Sequence, residues 1–214
     1  MQTIRLHSVV PEIFAERSDL KSEVWGQDVV FERGKSYLIE AESGGGKSSL
    51  CSYLYGRRGD YRGTILFDNE DISKLSIEAW SKLRERNIST LFQDLRLFGE
   101  LSAMENVELK NNLTNHLSRT SIEQMFEELA IADKMHTPIS LLSFGQQQRV
   151  ALIRALAQPI DFLLLDEPVS HLDERNSLTM RNIIVREAQR QGCAIIATSI
   201  GKELKLNYDK HLKL

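Results

Sequence analysis

The sequence is poor in cysteine, and neither of its two cysteines carries a recognisable chemical role. Cys51 and Cys193 do not have the spacing of metal ligands. The N-terminal stretch MQTIRLHSVV has neither the basic start nor the apolar core of a secretory signal. We therefore expect reduced thiols in a cytoplasmic protein.

Long apolar runs are also missing. No stretch approaches the roughly 18–20 apolar residues that a membrane-spanning helix needs. If the protein works at a membrane, another chain must supply the part that crosses it.

A surplus of positive charge is absent as well. The net charge is −3, and basic runs such as Arg57-Arg58 and Lys82–Arg86 are short and interspersed with acids. We interpret these runs as solvated surface and expect no nucleic-acid partner. With 42% hydrophobic and 27% charged residues, the composition is that of an ordinary folded protein.

What is present is an alternation of apolar strand-length runs with helix-period segments, which predicts an α/β fold with a largely parallel sheet. The predicted strands are Tyr37–Ala41, Thr64–Phe67, Ile88–Phe92, Phe162–Leu165 and Ala194–Thr198. We expect one domain over residues 1–214. Its α/β core would comprise 1–94 and 146–214, and a helical lobe would be inserted over about 95–145.

Within that lobe, apolar residues at helical spacing predict a core-facing stripe. The stripe comprises Ile122, Met125, Phe126 and Leu129. Thr120-x-x-Glu123 is the predicted capping box of this helix, and Ser102-x-x-Glu105 predicts another helix start.

A glycine-rich loop between a strand and a helix predicts a phosphate-binding P-loop. Backbone N–H groups of such a loop surround phosphate oxygens, and its residues here are Ser43, Gly44, Gly45, Gly46, Lys47, Ser48 and Ser49. Lys47 would reach the β- and γ-phosphates, and the Ser48 hydroxyl would bind Mg²⁺. Ala41 stands where the pattern has its first glycine, which the loop tolerates if φ is negative there. The alternative is a merely flexible glycine turn.

An apolar strand ends in two acids, Asp166 and Glu167. Asp166 is placed to bind Mg²⁺, directly or through water, and Glu167 to polarise the water that attacks a γ-phosphate. The alternative is a solvated strand end without a catalytic role.

Three further segments complete a resemblance to the ATP-binding cassette family. Leu142–Arg149 (LSFGQQQR) resembles the signature motif, Gln93 the Q-loop glutamine, and Ser170–Asp173 the D-loop. The resemblance covers essentially the whole chain, with the motifs in the family's order. It implies a P-loop NTPase core with an N-terminal antiparallel β region, and an ATPase whose cofactors are ATP and Mg²⁺.

The resemblance also implies how such subunits work. Two nucleotide-binding domains, identical or different, trap two ATP molecules between them, and Ser143, Gly145 and Gln146 of one would contact the γ-phosphate bound by the other. Gln93 would contact the metal and take part in catalysis. Phe14 would stack on adenine, with Trp25 as the alternative.

Two departures from the family pattern concern the catalytic end of the site. Phe144 occupies the first glycine position of the signature, where a side chain limits how closely the partner's ATP approaches. Ser199 follows the last core strand where the family has its switch histidine. A serine offers a hydrogen bond but no positive charge, so we expect slow hydrolysis, or hydrolysis that depends on a partner with a complete site.

Segments around Gln93 and Gln146 resemble the bacterial lipoprotein-release, macrolide-export and cell-division cassettes. We therefore expect a transporter motor on the cytoplasmic face of the inner membrane, with a transmembrane permease subunit docked on residues 93–110. The alternatives are a soluble cassette ATPase and a degenerate clamp that closes on ATP but scarcely hydrolyses it.

Overall fold

The computed structural model describes residues 1–17, 20–169 and 172–214. The described residues contain nine strands: β1 (Thr3–Pro11), β2 (Val29–Glu32), β3 (Ser36–Glu40), β4 (Tyr61–Phe67), β5 (Glu70–Asp71), β6 (Ile88–Leu91), β7 (Phe162–Asp166), β8 (Ala194–Ser199) and β9 (Lys210–Lys213). The strands predicted from apolar runs are all present, with bounds that differ by up to three residues.

Five of the strands form a parallel sheet in the order β6-β7-β8-β3-β9. Strands β7 and β8 are buried along their whole length, because they are covered on both faces. Alternate residues of β7 contribute to two different hydrophobic clusters, with Leu163 and Leu165 in one and Phe162 and Leu164 in the other.

The other four strands form an antiparallel sheet in the order β2-β1-β4-β5. It shares one hydrophobic cluster with a face of the parallel sheet. The predicted fold class, a parallel α/β core with an N-terminal antiparallel region, is confirmed.

Six α-helices complete the described part of the chain: α1 (Lys47–Leu54), α2 (Ile77–Arg86), α3 (Ala103–Asn111), α4 (Arg119–Glu128), α5 (Phe144–Leu156) and α6 (Glu174–Gln191). Short 3-10 helices lie at Glu12–Phe14, Ile72–Lys74, Ala132–Lys134 and Ile139–Leu141. Within the described ranges, no helix combines the length with the apolar character that crossing a bilayer requires.

Residues 95–145, all of which the structure describes, contain helices and no strand but are less helical than predicted. The stripe Ile122, Met125, Phe126 and Leu129 is buried in the cluster that covers the second face of the parallel sheet.

The two predicted helix starts of this segment have opposite outcomes. Ser102 and Glu105 form the expected capping box, but the one predicted at Thr120 is wrong. The helix begins two residues earlier, because the Ser118 hydroxyl accepts the Ser121 N–H, and Glu123 pairs instead with Arg119.

Asn106 fixes the loop that precedes α3. Its buried amide nitrogen donates to the carbonyl oxygens of Phe98 and Ser102, both at 3.0 Å, and its Oδ1 accepts the Phe98 N–H at 2.8 Å. The side chain therefore supplies hydrogen-bond partners to backbone groups of a loop that has no regular helix or sheet hydrogen bonds.

We expect Asn106→Ala to lower the free energy of unfolding by about 2–3 kcal/mol, because it leaves the Phe98 N–H without its acceptor and removes a buried amide donor to the Phe98 and Ser102 carbonyl oxygens. The measurement is urea denaturation followed by circular dichroism. Asn112→Ala, at an exposed position after α3, is the matched control and should change stability by less than about 0.5 kcal/mol. Equal effects of the two substitutions would contradict the assigned role.

Candidate functional site

The loop after β3 turns sharply and leads into α1. Gly44 and Gly46 have φ angles of 84° and 93°, in the left-handed region that glycine occupies without steric cost. Gly46 is the N-cap of α1 and has no side chain with which to cap it. The first-turn N–H groups are therefore left for an anionic ligand.

Ala41 keeps the loop conformation despite replacing a glycine, because its φ is not positive. The methyl group of Ala41 instead restricts Gly45, the residue that faces it. A Cβ atom built on Gly45 would lie 2.7 Å from the Ala41 Cβ and 3.3 Å from the Glu42 carbonyl oxygen. The alanine therefore fits because position 45 is a glycine.

Lys47 is buried, and its ammonium group bonds to the loop itself. Nζ donates to the carbonyl oxygens of Ala41 and Glu42 at 2.9 and 3.0 Å and lies 3.9 Å from Oε1 of Glu167. Burial lowers the pKa of Lys47, against the opposing effect of Glu167 and Asp166. A phosphate would supply the anionic partner that this amine lacks in the loop.

Two aromatic side chains pack against the loop. The buried indole of Trp25 donates from Nε1 to the Gly45 carbonyl oxygen at 3.1 Å, so this residue supports the loop. Phe14 is also buried, with the Arg17 guanidinium 4.8 Å from its ring centroid. Of the two candidates for adenine stacking, it is Phe14 that lines the cavity described below.

The two acids are held by a hydroxyl from the neighbouring strand. Thr198 Oγ1 donates to Oδ1 of buried Asp166 at 2.8 Å and accepts the Glu167 N–H at 3.1 Å. Glu167 has a φ of 52°, which is strained for a residue with a side chain. The Thr198 bond helps to hold this turn immediately after the strand.

Gln93 lies two residues after β6 and approaches the same acids. Its Nε2 is 3.4 Å from Oε2 of Glu167. Ser48, Gln93 and Asp166 line one cavity of about 340 Å³. This set of hydroxyl, amide and carboxylate oxygens suits Mg²⁺, which prefers oxygen ligands and shares them with phosphates and water. No cluster of three or more His, Cys, Asp and Glu side chains suited to a metal occurs among the described residues.

A neighbouring cavity of about 320 Å³ brings most predicted site residues together. Its lining includes Phe14, Ser43, Gly44, Gly46, Lys47, Ser48, Ser49, Gln93 and Glu167. Ile13, Arg58 and Ile200 also line it, although no sequence motif predicted them there.

Arg58 is exposed, as predicted for a solvated basic run, but it also lines this cavity. Its guanidinium donates to Ser49 Oγ at 3.0 Å and pairs with Asp60, which holds it at the cavity. No sequence motif marks this position.

The signature residues lie elsewhere, outside the linings of both cavities. Ser143 is the N-cap of α5: its Oγ accepts the Gln146 N–H at 3.4 Å, and Gln146 Oε1 accepts the Ser143 N–H at 2.9 Å. Gly145 follows in the first turn, and Phe144 is 43% exposed. One chain by itself does not bring the P-loop and the signature residues together.

The switch-histidine position and the predicted D-loop are the remaining motif positions. Ser199, at the switch-histidine position, is the last residue of β8, and its buried Oγ has no hydrogen-bond partner among the described residues. Ser170 and His171 of the predicted D-loop lie outside the described residues, whereas Asp173 is the N-cap of α6.

Comparison with known families agrees with this geometry. The family model described as "ABC transporter" matches residues 26–170, which run from before the P-loop to beyond Glu167. The chain belongs to the ABC transporter family.

Curated relatives are ATP-binding proteins of the same family. The cassette is 30% identical over 192 residues to the uncharacterized ABC transporter ATP-binding protein YbbA of Escherichia coli K12, covering 88% of this chain and 84% of that protein. It is 34% identical over 194 residues to the phosphonates import ATP-binding protein PhnC of Fusobacterium nucleatum, covering 85% and 78%. It is also related to the macrolide-export group, being 30% identical to the ATP-binding/permease protein MacB of Shewanella oneidensis over 85% of this chain and 28% of that protein.

Solved structures share the fold. A dimeric structure of the bacterial ABC transporter cassette MJ0796 superposes with a TM-score of 0.76 at 24% identity, over 91% of this chain and 87% of that one. A bacterial Atm1-family exporter with ATP bound gives a TM-score of 0.79 at 24% identity, over 100% of this chain and 37% of that one.

The contact between Ala41 and Gly45 predicts an asymmetric pair of substitutions. Gly45→Ala should weaken ATP binding by at least about tenfold, because the new methyl meets the Ala41 methyl and distorts the loop. Ala41→Gly should be close to neutral, and in that background Gly45→Ala should recover part of the lost affinity, since only the Glu42 carbonyl remains close.

The measurement is the Kd of a fluorescent ATP analogue for the four proteins of this double-mutant cycle. Additive losses would show that the two positions do not interact.

Proposed function

We propose that this cassette is the ATP-binding and ATP-hydrolysing subunit of a bacterial transporter, which dimerises around two ATP molecules and drives a membrane permease. The observation that carries the proposal is the meeting of Lys47, Gln93, Asp166 and Glu167 around a glycine loop at the carboxyl edge of the parallel sheet. This is where ligands bind in open α/β sheets.

Each residue has a role in this proposal. The backbone of residues 43–46 and Lys47 bind the phosphates, Ser48 and Ser49 extend the loop's contacts, and Phe14 stacks on adenine. Ser48, Gln93 and Asp166 would hold Mg²⁺, which when bound neutralises charge on the β- and γ-phosphates. Glu167 accepts a proton from the attacking water as the water oxygen bonds to the γ-phosphorus and the bond to the ADP oxygen breaks.

Dimerisation would complete the site. Ser143, Gly145 and Gln146 lie on a helix N-terminus outside the P-loop cavities, so they are available to a γ-phosphate held by a second subunit. Either two copies of this chain or this chain and a related cassette would form the dimer.

Hydrolysis in this cassette would be slow. Ser199 supplies no positive charge, and its burial leaves it a poor substitute for a histidine that contacts the γ-phosphate. ATP binding and closure do not require that group, so closure would persist while turnover falls.

We expect the purified subunit to release phosphate about ten- to hundredfold more slowly than a cassette that carries the histidine, with ATP affinity retained. The measurement is steady-state phosphate release alongside ATP binding. Lys47→Ala should lose binding and Lys82→Ala, at an exposed lysine, should not. Ordinary turnover that Glu167→Gln abolishes would refute the slow-hydrolysis hypothesis.

A permease subunit would dock on residues 93–110 and keep the cassette on the cytoplasmic face of the membrane. Supporting this, Phe98 and Leu109 within that segment are exposed apolar side chains. Membranes solubilised from cells with a tagged cassette should yield a membrane protein in stoichiometric amount. A cassette recovered only as a soluble protein would refute the transport role.

The second candidate is a nucleotide-gated clamp that closes on ATP and scarcely hydrolyses it, in either a soluble or a membrane complex. Ser199 is the observation that favours it. Undetectable phosphate release together with ATP-dependent dimerisation would select this candidate over a transport motor.

A further inference from the structure

Among the described residues that line the phosphate-loop cavity, the cations are Lys47 and Arg58. Arg58 lies between α1 and β4, outside the P-loop, and has no role in the proposed function so far. It reaches back to the first turn of α1, where its Nη1 donates to Ser49 Oγ at 3.0 Å. A guanidinium beside a helix N-terminus adds positive charge to a site that already favours an anion.

The Arg58 side chain is oriented by two neighbours. Its Nε donates to Oδ1 of Asp60 at 2.9 Å and its Nη2 donates to Oδ2, so the carboxylate binds the guanidinium at two points. The ring of Tyr53 packs beside it, with the guanidinium carbon 5.5 Å from the ring centroid. Both members of the ion pair are 44% exposed, so the pair contributes little to stability and mainly fixes the direction of the guanidinium.

Arg58 keeps hydrogen-bond donors for a ligand. A guanidinium has five N–H groups, and described residues accept one each from Nε, Nη1 and Nη2 of Arg58. One N–H therefore remains on each of the two Nη atoms. A planar pair of donors of this kind matches two oxygens of one phosphate group.

The helix geometry separates Arg58 from Lys47. Successive residues of an α-helix are rotated by about 100°, so Lys47 and Ser49 project on nearly opposite sides of α1. Arg58 bonds to Ser49 and therefore lies on the side away from the Lys47 ammonium. In the proposed function Lys47 contacts the β- and γ-phosphates. Arg58 is placed for a different phosphate.

Arg58 is linked instead to the end of the cavity at which Phe14 lies. The carbonyl oxygen of Asp60 accepts the Glu12 N–H at 3.0 Å, and Glu12 begins the 3-10 helix that contains Phe14. In the proposed function Phe14 stacks on adenine. The α-phosphate joins the nucleoside to the β-phosphate, so it lies between that end of the cavity and Lys47.

We propose that Arg58 binds the α-phosphate of the nucleotide, with the remaining N–H groups of Nη1 and Nη2 donating to its non-bridging oxygens. The inference rests on the proposed function and adds a binding residue to the same site. ATP and ADP both carry an α-phosphate, so Arg58 holds the nucleotide equally before and after the γ-phosphate is cleaved. It contributes to affinity for both ligands without distinguishing them.

Nucleotide affinity is the first test. Arg58→Gln should raise the Kd of ATP and of ADP by the same factor, about tenfold, because each ligand loses one charge-assisted contact. The Kd is measured by displacement of a fluorescent ATP analogue. Arg62→Gln is the matched control and should change neither Kd, since Arg62 lies on β4, pairs with Glu16 and lines neither nucleotide cavity. A loss for ATP alone would overturn the inference, because it would locate the contact at the γ-phosphate.

A phosphorothioate probe tests the α-phosphate itself. In each diastereomer of ATPαS, sulphur replaces one non-bridging α-oxygen, and sulphur accepts hydrogen bonds more weakly. The ratio of the ATPαS Kd to the ATP Kd is the sulphur penalty. Arg58→Gln should reduce this penalty at least about twofold for one diastereomer, because the residue and the substituted atom interact. The titrations are done in EDTA, which removes the preference of a bound metal for oxygen over sulphur.

A purely structural role for Arg58 predicts a different result. If Arg58→Gln only loosened the turn before β4, the Kd of every nucleotide would rise and the sulphur penalties would stay as in the wild type. Unchanged penalties for both diastereomers would therefore overturn the α-phosphate contact. Urea denaturation of Arg58→Gln and Arg62→Gln checks that both proteins are folded under the assay conditions.

The outcomes separate this inference from the proposed function. If the wild-type cassette binds no ATP, the proposed function fails and this inference fails with it. If the wild type binds ATP and Arg58→Gln binds it as tightly as Arg62→Gln does, the proposed function stands and this inference is overturned.

Discussion

One hydroxyl, Oγ1 of Thr198, positions both acids of the nucleotide site. The parallel pairing of β7 and β8 sets Asp166 opposite Thr198, so that this hydroxyl can donate to the Asp166 carboxylate and accept the Glu167 N–H. The bond also stabilises the strained turn at Glu167, whose carboxylate then meets both Lys47 and Gln93. The catalytic end of the site thus depends on the register of two strands.

Local pattern predicted much of this arrangement. Continuous apolar runs predicted the buried strands, and the glycine spacing before Lys47 predicted the P-loop. Both features are encoded by residues that are adjacent in the sequence. Thr198 could not be identified in that way, since its role depends on register between strands 32 positions apart in the chain. Arg58 approaches the cavity through a turn and a pairing with Asp60 that no motif encodes, and Trp25 supports the loop through a contact 20 residues away.

The departures from the family pattern differ in physical weight. Ala41 is accommodated by the space over Gly45, and Phe144 leaves the capping box of Ser143 and Gln146 intact. Ser199 is different, because its hydroxyl carries no positive charge at the position where the family has a histidine. Under the proposed function, ATP binding and hydrolysis are separable in this cassette, because Ala41 leaves the phosphate loop in its conformation whereas Ser199 changes the position at which the family has a histidine.

The bonds of Lys47 to two loop carbonyls also have a consequence for ligand discrimination. A ligand that draws the Lys47 ammonium away from the Ala41 and Glu42 carbonyl oxygens breaks two hydrogen bonds. It must therefore place enough negative charge beside the ammonium to replace them. In the proposed binding mode Lys47 contacts the β- and γ-phosphates, so we expect a nucleoside triphosphate or diphosphate to meet this requirement and adenosine or a monophosphate to fail it. The position of Lys47 would then distinguish ligands by the length of their phosphate chain.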